Sequence, residues 1–484
     1  MLPKVVVSKG AEISAFFFIQ IVNQAMKQYA KMPEKNIPKQ EYTLSVFLPK
    51  TTFYGYNLKI PYIYALDRGI IQKRWVILMI QRELYLKQIR PFIDKPFVKV
   101  LTGIRRCGKS SLLMMVRDEL EQSGVAPESI VYINFENLDF ADLDTAEKLH
   151  KYVKARMTDK GRYYVLLDEI QEVKNWEKAV NSLVSSANAD LYITGSNSRL
   201  LSSELATYIA GRYVEIKINT LSFREYLLFK EVRTGEKPVN VREEIRSYIR
   251  LGGFPAVHIG DYEEDVAYRI VNDIYSSAIL RDTIQRHSIR NIELLERVVK
   301  FVFDNIGNTF SAKNVADYFK SQQRKVDLNT VYNYLSALES AYIIRKIPRY
   351  DIKGKELLKT SEKYYIGDQS LVYAVMGYKD RMISGILENI VMLELERRGY
   401  RVYVGKLDTK EVDFVAERKN EKVYIQVSYT PNVAQETIDR EFAPLLAIKD
   451  NYPKYVVTMD DFWSDNMDGI KHKHLAEFLL MDEY

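Results

Sequence analysis

The stretch FVKVLTGIRRCGKSSLLMMVRDEL, Phe97–Leu120, strings together an apolar β-branched run, a glycine-bounded loop and an amphipathic helix. Its middle reads Gly103-x-x-x-x-Gly108-Lys109-Ser110, the Walker A spacing, in the strand–loop–helix context that pattern needs. The two glycines let the backbone turn its N–H groups toward one point, and the helix N-terminus adds a favourable dipole for an anion there. Gly103, Ile104, Arg105, Arg106, Cys107, Gly108, Lys109, Ser110 and Ser111 are therefore expected to cradle the phosphates of ATP. Lys109 supplies a point charge for the β- and γ-phosphates, and Ser110 a hydroxyl ligand for Mg²⁺. Cys107, the single thiol, falls inside the loop. A helix start beside a lysine favours thiol reactivity, while a small residue tolerated in a loop is the plainer reading.

A metal-binding loop of this kind needs a partner acid. RYYVLLDEI supplies it, with Tyr163–Leu167 reading as a buried strand that ends at Asp168-Glu169. Asp168 is expected to hold Mg²⁺ through water, and Glu169 to polarise the attacking water. One acid at a strand end is commonly a solvated turn; an acid pair downstream of a phosphate loop is a more specific signal. SIVYINFEN ends a further strand at Asn134, ADLYITGSNSRLL ends one at Thr194-Gly195-Ser196, and GRYVEIKI begins with Gly211-Arg212. Strands alternating with helices from residue 79 to about 235 imply an α/β fold, a parallel sheet covered on both faces with its site at the strand ends.

Taken in order, LTGIRRCGKSSLL, LLDEIQ, ITGSNSRLL, GRYVEIKINTLSFREY and LGGFP (Leu251–Pro255) resemble AAA+ ATPases. In detail they resemble a prokaryotic, largely archaeal family of AAA+-like ATPases that carry a C-terminal domain of uncharacterised function. The resemblance covers residues 79–484. It implies that Asn134 holds Glu169 between active and inactive poses, that Ser196 or Asn197 senses the γ-phosphate, and that Arg212 is a candidate arginine finger or sensor. Arg212 reads equally well as an ordinary ion-pair arginine. A finger acting in trans requires a homo-oligomer.

Residues 236–290 read as a helical lid or linker. IELLERVVKFVFDNI, SAKNVADYFKSQ and NTVYNYLSALESA then read as three helices. Ser311 is the N-cap candidate of the second, and Val331, Tyr334, Leu335 and Leu338 share one face of the third. AYIIRKIPRYD and EKYYIGD read as two strands around the basic turn IKGKELLK, so residues 291–368 make a winged helix-turn-helix. Its third helix turns Asn329, Tyr332, Asn333 and Ser336 outward, with Arg324 and Lys325 just before them. That set suits the base edges and phosphates of double-stranded DNA. Winged helices within ATPase chains also serve as spacers or protein contacts, and both readings stand.

Residues 369–484 give an α-β-β-β-α-β order, including the hairpin EVDFVAERKNEKVYIQVSY, Glu411–Tyr429. This resembles restriction-endonuclease-like domains, which use an acid on the first helix, an acid on the second strand and an acid-x-Lys on the third. Glu388 and Asp413 take the first two places, but the third pair is Gln426 and Ser428. These two share a strand face. Glutamine is the weaker metal ligand, and serine lacks the charge that stabilises a pentavalent phosphate. The domain is expected to be an inactivated nuclease.

Composition narrows the class. A chain of 484 residues exceeds one core, and 47% hydrophobic with 28% charged residues is an ordinary globular balance. The net charge of +6 is uneven: residues 1–78 hold eleven Lys/Arg against four acids, leaving 59 basic and 60 acidic side chains after them. That first segment lacks periodicity, and its middle, KMPEKNIPKQEY, reads as loop. Met79 is expected to be the natural start, with residues 1–78 a translated upstream region; the alternative is a genuine basic arm. AFFFIQIV (Ala15–Val22) is too short to span a membrane, and one cysteine agrees with a reducing cytoplasm. The expected function is Mg-dependent ATP hydrolysis by residues 79–235, rearranging the C-terminal half on DNA or a protein partner. A nucleotide-gated signalling or defence switch with slow turnover is the alternative, and Gln426 and Ser428 disfavour an ATP-dependent nuclease.

Overall fold

Five short runs rich in Val, Ile and Leu form the first sheet of the computed structural model. They are β1 (Val98–Thr102), β2 (Ile130–Asn134), β3 (Tyr163–Asp168), β4 (Ala189–Gly195) and β5 (Tyr213–Lys217). All pair in parallel, in the order β2-β3-β4-β1-β5. β1 and β3 are buried at every position, as strands sandwiched between helices must be. Helices α1 (Glu83–Ile89), α2 (Lys109–Gln122), α3 (Ala146–Arg156) and α4 (Trp176–Ser186) surround them. Val98, Val100, Val165 and Leu167 pack with Leu149 and Val153 of α3 and with Val180 and Leu183 of α4. Alternation along β1 sends Leu101 the other way; α2, with Leu112, Leu113 and Val116 buried, packs against β3 and β4.

The structure describes residues 80–157, 161–186, 188–198, 211–324, 326–429, 435–460 and 466–484. Nearer the N-terminus it describes two short hairpins, Thr52–Phe53 with Tyr56–Asn57 and Leu66–Asp67 with Ile70–Ile71. The expectation for residues 1–78 otherwise lies outside the described residues, as does Lys325. Among the described residues, no helix is long and apolar enough to cross a membrane.

After β5 come α5 (Phe223–Thr234), α6 (Val241–Leu251) and α7 (Glu264–Asp273), then α8 (Ile292–Asp304), α9 (Ala312–Ser321) and α10 (Leu328–Ser340). Ser311 caps α9 in a reciprocal capping box with Asn314. Val331, Tyr334, Leu335 and Leu338 of α10 are buried, while Asn329, Tyr332, Asn333 and Ser336 are exposed. Arg324, read as a phosphate contact, is exposed and stands 3.1 Å from Glu293.

A hairpin follows, β6 (Ile344–Asp351) and β7 (Glu356–Ile366), so the second half of the stretch read as a basic turn belongs to β7. Its register slips between Ile347 and Arg349, where Pro348 has no N–H to donate. Beyond it lie α11 (Ile383–Arg397), β8 (Arg401–Leu407), β9 (Lys410–Arg418), β10 (Glu421–Ser428), α12 (Gln435–Leu446), β11 (Lys454–Thr458), β12 (Asn466–Met467), β13 (Ile470–His474) and α13 (Leu475–Leu480). β6 pairs in parallel with β8, Arg349 opposite Val404. The hairpin thereby joins one eight-stranded sheet, β7-β6-β8-β9-β10-β11-β13-β12, which runs across the boundary expected after residue 368. Helix α11 is apolar around most of its circumference and buried nearly throughout, as such a helix must be. Gly385 allows its close approach to the end of α8: a Cβ there would meet the Ile306 carbonyl oxygen at 2.2 Å.

Candidate functional site

The phosphate loop leaves the carboxyl end of β1 in a conformation that its glycines permit. Gly103 sits at φ +146°, and a Cβ there would stand 2.0 Å from the Ile218 carbonyl oxygen. Gly108, at φ +99°, caps α2. Ile104 is fully buried, Arg105 pairs with Glu136 at 2.7 Å, and Arg106 and Ser111 are exposed. Cys107 is also fully buried, which fits the plainer reading of a small residue tolerated in the loop. Arg82, just before α1, forms the floor of the loop. Its guanidinium donates to the Cys107 carbonyl at 2.8 Å, to the Asn219 and Thr220 carbonyls at 2.9 and 3.2 Å, and to both oxygens of Glu225 at 2.7 and 3.0 Å.

Lys109 rests its ammonium on the Gly103 and Ile104 carbonyls, 3.2 and 3.3 Å away, and 3.9 Å from Glu169. Neutral carbonyls are weaker partners for an ammonium than phosphate is. Ser110 Oγ donates to Asp168 Oδ1 at 3.1 Å, and Asp168 also accepts from Thr194 and from Tyr132. Glu169 adopts φ +55°, with its N–H on Thr194 Oγ1 at 2.9 Å. Its carboxylate accepts from Ser196 Oγ at 2.9 and 3.0 Å and from the Gln171 amide. Burial pushes Asp168 above the usual carboxylate range, despite the hydroxyls of Thr194 and Ser110. Burial also opposes the charge on Glu169, but Lys109, then Gln171 and Ser196, outweigh it and hold that carboxyl below its usual value. A hydroxyl and a carboxylate facing each other beside a glycine loop fit a hard divalent cation carrying phosphate.

Two expected members do not make the contacts expected of them. Asn134 ends β2 beside Asp168 in register, but its side chain accepts from the Glu136 N–H at 2.9 Å rather than holding Glu169. Ser196 and Gln171 hold it instead; Ser196 and Asn197 are both buried. Arg212 precedes β5, whose Tyr213 pairs with Val98 and whose Lys217 pairs with Thr102. The phosphate loop follows Thr102, so the exposed Arg212 lies at the opposite end of the sheet, roughly 15 Å of strand away. It therefore cannot act as a sensor on its own chain's phosphates.

A second cluster gathers the residues read as a decayed nuclease centre. Glu388 on α11 and Asp413 on β9 do converge, but on a lysine that sequence reasoning missed. Lys363 Nζ, from β7, lies 3.2 Å from Glu388, 2.9 Å from Glu411 and 3.4 Å from Asp413. Tyr365 donates to Glu388 at 2.7 Å, and the Val427 N–H to Asp413 at 2.9 Å. Gln426 accepts from the Asp413 N–H and donates to Glu441 of α12, both at 3.3 Å, while Ser428 is buried. The positive charge that Ser428 cannot supply is thus present at this centre, brought by Lys363 from another strand. Burial and then Asp413 push Glu388 up, while the carboxylates keep Lys363 charged against its own burial.

Residues 95–227 match the profile of an AAA domain, and residues 242–381 that of a domain of unknown function, DUF8612. An uncharacterized protein of Haemophilus influenzae is 41% identical over 404 residues, 83% of this chain and 99% of its own. The chain belongs to that protein's family. An uncharacterized protein of Methanocaldococcus jannaschii is 30% identical over 396 residues, 79% of this chain and 86% of its own. Among solved structures, the Aeropyrum pernix ORC1 protein in complex with DNA is similar at 15% identity and TM-score 0.30, over 63% of this chain and 96% of that one. Cdc6p from Pyrobaculum aerophilum is similar at 12% identity and TM-score 0.28, over 67% and 97%.

In this AAA-domain protein the profile match falls on the five-stranded sheet and its loop. The second match begins at α6 and ends between β7 and α11, so it crosses the boundaries expected after residues 290 and 368. Tyr132 and Gln171 went unread, and Thr194 was read only as a strand end, because single polar residues in apolar strands and turns carry no spacing signal. Lys363 had one: it and Tyr365 are two apart on a strand and so share a face.

Proposed function

We propose that this AAA-domain protein binds and hydrolyses Mg-ATP, and that the cycle repositions its C-terminal half on duplex DNA. The observation that carries this reading is the hydrogen-bonded set of Lys109, Ser110, Asp168, Glu169 and Ser196 at the strand ends. Within it, two adjacent carboxyls are pushed in opposite directions. Ser110 and Asp168 would hold Mg²⁺, which neutralises phosphate charge. Glu169, kept ionised by Lys109, orients and deprotonates the attacking water once Ser196 and Gln171 release it. Ser196, bonded to that same carboxylate, reports whether a γ-phosphate is present. Arg212, remote from its own site, would serve only a neighbouring copy.

The rest of the reading rests on contacts around the loop. Arg345 at the root of β6 donates to Asn219 Oδ1 at 3.0 Å, and Arg397 of α11 to the Thr220 carbonyl at 3.2 Å, the same carbonyl that Arg82 holds. Ile104 of the loop touches the turn after β7 at Gly367. We take α8–α10 with the β6–β7 hairpin as a winged helix, whose exposed Asn329, Tyr332 and Asn333 suit base edges. Ser336, on the same face, lines a cleft of about 350 Å³ with Lys217 and Arg345 instead. Residues 369–484 we take as restriction-endonuclease-like and without cleavage chemistry.

Steady-state ATPase rates with and without duplex DNA, for the wild type, Lys109→Ala and Glu169→Gln, test the reading. DNA is expected to raise turnover. Lys109→Ala should lose nucleotide binding, and Glu169→Gln should keep ATP without hydrolysing it. Turnover by Glu169→Gln at the wild-type rate would remove the assignment of the base. A wild-type rate indifferent to DNA would remove DNA as the partner and favour a slow switch.

A further inference from the structure

The cluster around Lys363 shares no residue with the set around the phosphate loop. Three carboxylates from two elements, Glu388 on α11 with Glu411 and Asp413 on β9, close on one ammonium brought by a third, β7. The Lys363 side chain is 4% exposed and those of Glu388 and Asp413 are 10% and 9%, while Glu411, at 35%, forms the rim of the cluster. An ammonium has three N–H donors, and here three carboxylates stand at 2.9–3.4 Å around it. The oxygens that a divalent cation would need are therefore already engaged by the ammonium. Tyr365, fully buried, closes the same pocket onto Glu388, and the turn at Gly307 lies against it: a Cβ there would stand 3.2 and 3.3 Å from the two Glu388 carboxylate oxygens.

We propose that Lys363 is the built-in counter-cation of this centre. Its ammonium takes the place of a divalent metal among Glu388, Glu411 and Asp413, shuts the site to metal, and pins the β6–β7 hairpin to α11 and β9. Loss of nuclease chemistry then has a second cause, independent of Gln426 and Ser428: the cation position is already filled. Removing the ammonium uncovers three carboxylates and the Tyr365 hydroxyl, an all-oxygen set that suits a hard divalent cation. The inference does not depend on the ATPase reading.

The test is Mn²⁺ binding to the full, nucleotide-free chain, followed by electron paramagnetic resonance. Wild type and Asp413→Asn should bind Mn²⁺ equally, because the centre takes none. Lys363→Met should gain a site, and Lys363→Met with Asp413→Asn should lose it again. Ser110 and Asp168 are present in all four proteins, so their contribution cancels. A wild-type Mn²⁺ site abolished by Asp413→Asn would overturn the proposal, as would a folded Lys363→Met that gains none. Thermal unfolding of Lys363→Met, Glu388→Gln and their double variant covers the case in which the single variant folds poorly. The double variant should melt above Lys363→Met; strictly additive losses would also overturn the proposal.

Discussion

Asp168 and Glu169 are neighbours in the chain with opposite electrostatic fates, and both consequences are measurable. Glu169 is held low, so its contribution to stability is present above its unfolded pKa and lost only as pH falls through the lower folded value. If it is the base, ATP turnover has no acid limb near neutrality; a rate falling by half there would place the base elsewhere. Asp168 is held high, so its charge costs the empty protein stability at neutral pH, a cost relieved as acid protonates it. Asp168→Asn keeps an acceptor for Ser110 and Thr194 while removing that charge. It should abolish hydrolysis yet melt no lower than wild type, with a gain of about 1 kcal/mol typical of relieving a functional strain. A clear fall in melting temperature would show that the ionised form is the stable one. Cys107, fully buried, should react slowly with a maleimide in the native protein and fully in urea. Fast native labelling would mean that the loop opens readily.

At the scale of elements, the phosphate loop is braced by structure that comes after it in the chain. Gly367, between β7 and the helix Ser370–Met376, has no space for a side chain: a Cβ would meet the Tyr342 carbonyl oxygen at 2.2 Å and Ile104 Cδ1 at 3.1 Å. Gly367→Ala must push the hairpin root off the loop. A cost of about 1–3 kcal/mol is expected, with weaker ATP binding by titration. Unchanged affinity in a destabilised protein would show that the loop does not need this brace. The capped start of α9 and the buried stripe of α10 were legible because helix signals repeat within a few residues. The length of β7 was not, because its pairing with β6 carries it through residues that resemble a turn.

For the whole molecule, the question is whether residues 369–484 form a separable piece. A chain ending at Asp368 would strip β6 of β8, Lys363 of three carboxylates and Arg345 of Glu396. Breaking a buried pair costs about 3–5 kcal/mol, against a total stability of about 5–15 kcal/mol. Such a chain should show no cooperative melt by calorimetry. A sharp transition at the wild-type temperature would mean that the boundary after residue 368 is a true domain break.

The sequence by itself determined the phosphate loop, the acid pair and the ends of the β-strands around them, because each is written in spacings of a few residues that backbone geometry reads directly. It also placed Glu388 and Asp413 toward one centre. Only the tertiary structure decided what stands between them. Lys363 reaches that centre because β6 and β7 fold onto a sheet begun by residues some fifty positions later. Arg212 was displaced from the phosphates by strand register, Asn134 lost Glu169 to Ser196 and Gln171, and Arg82 became the floor of a loop that it precedes. In each case the partner of a buried charge or amide is chosen by packing between distant segments, and a local pattern carries no record of that choice.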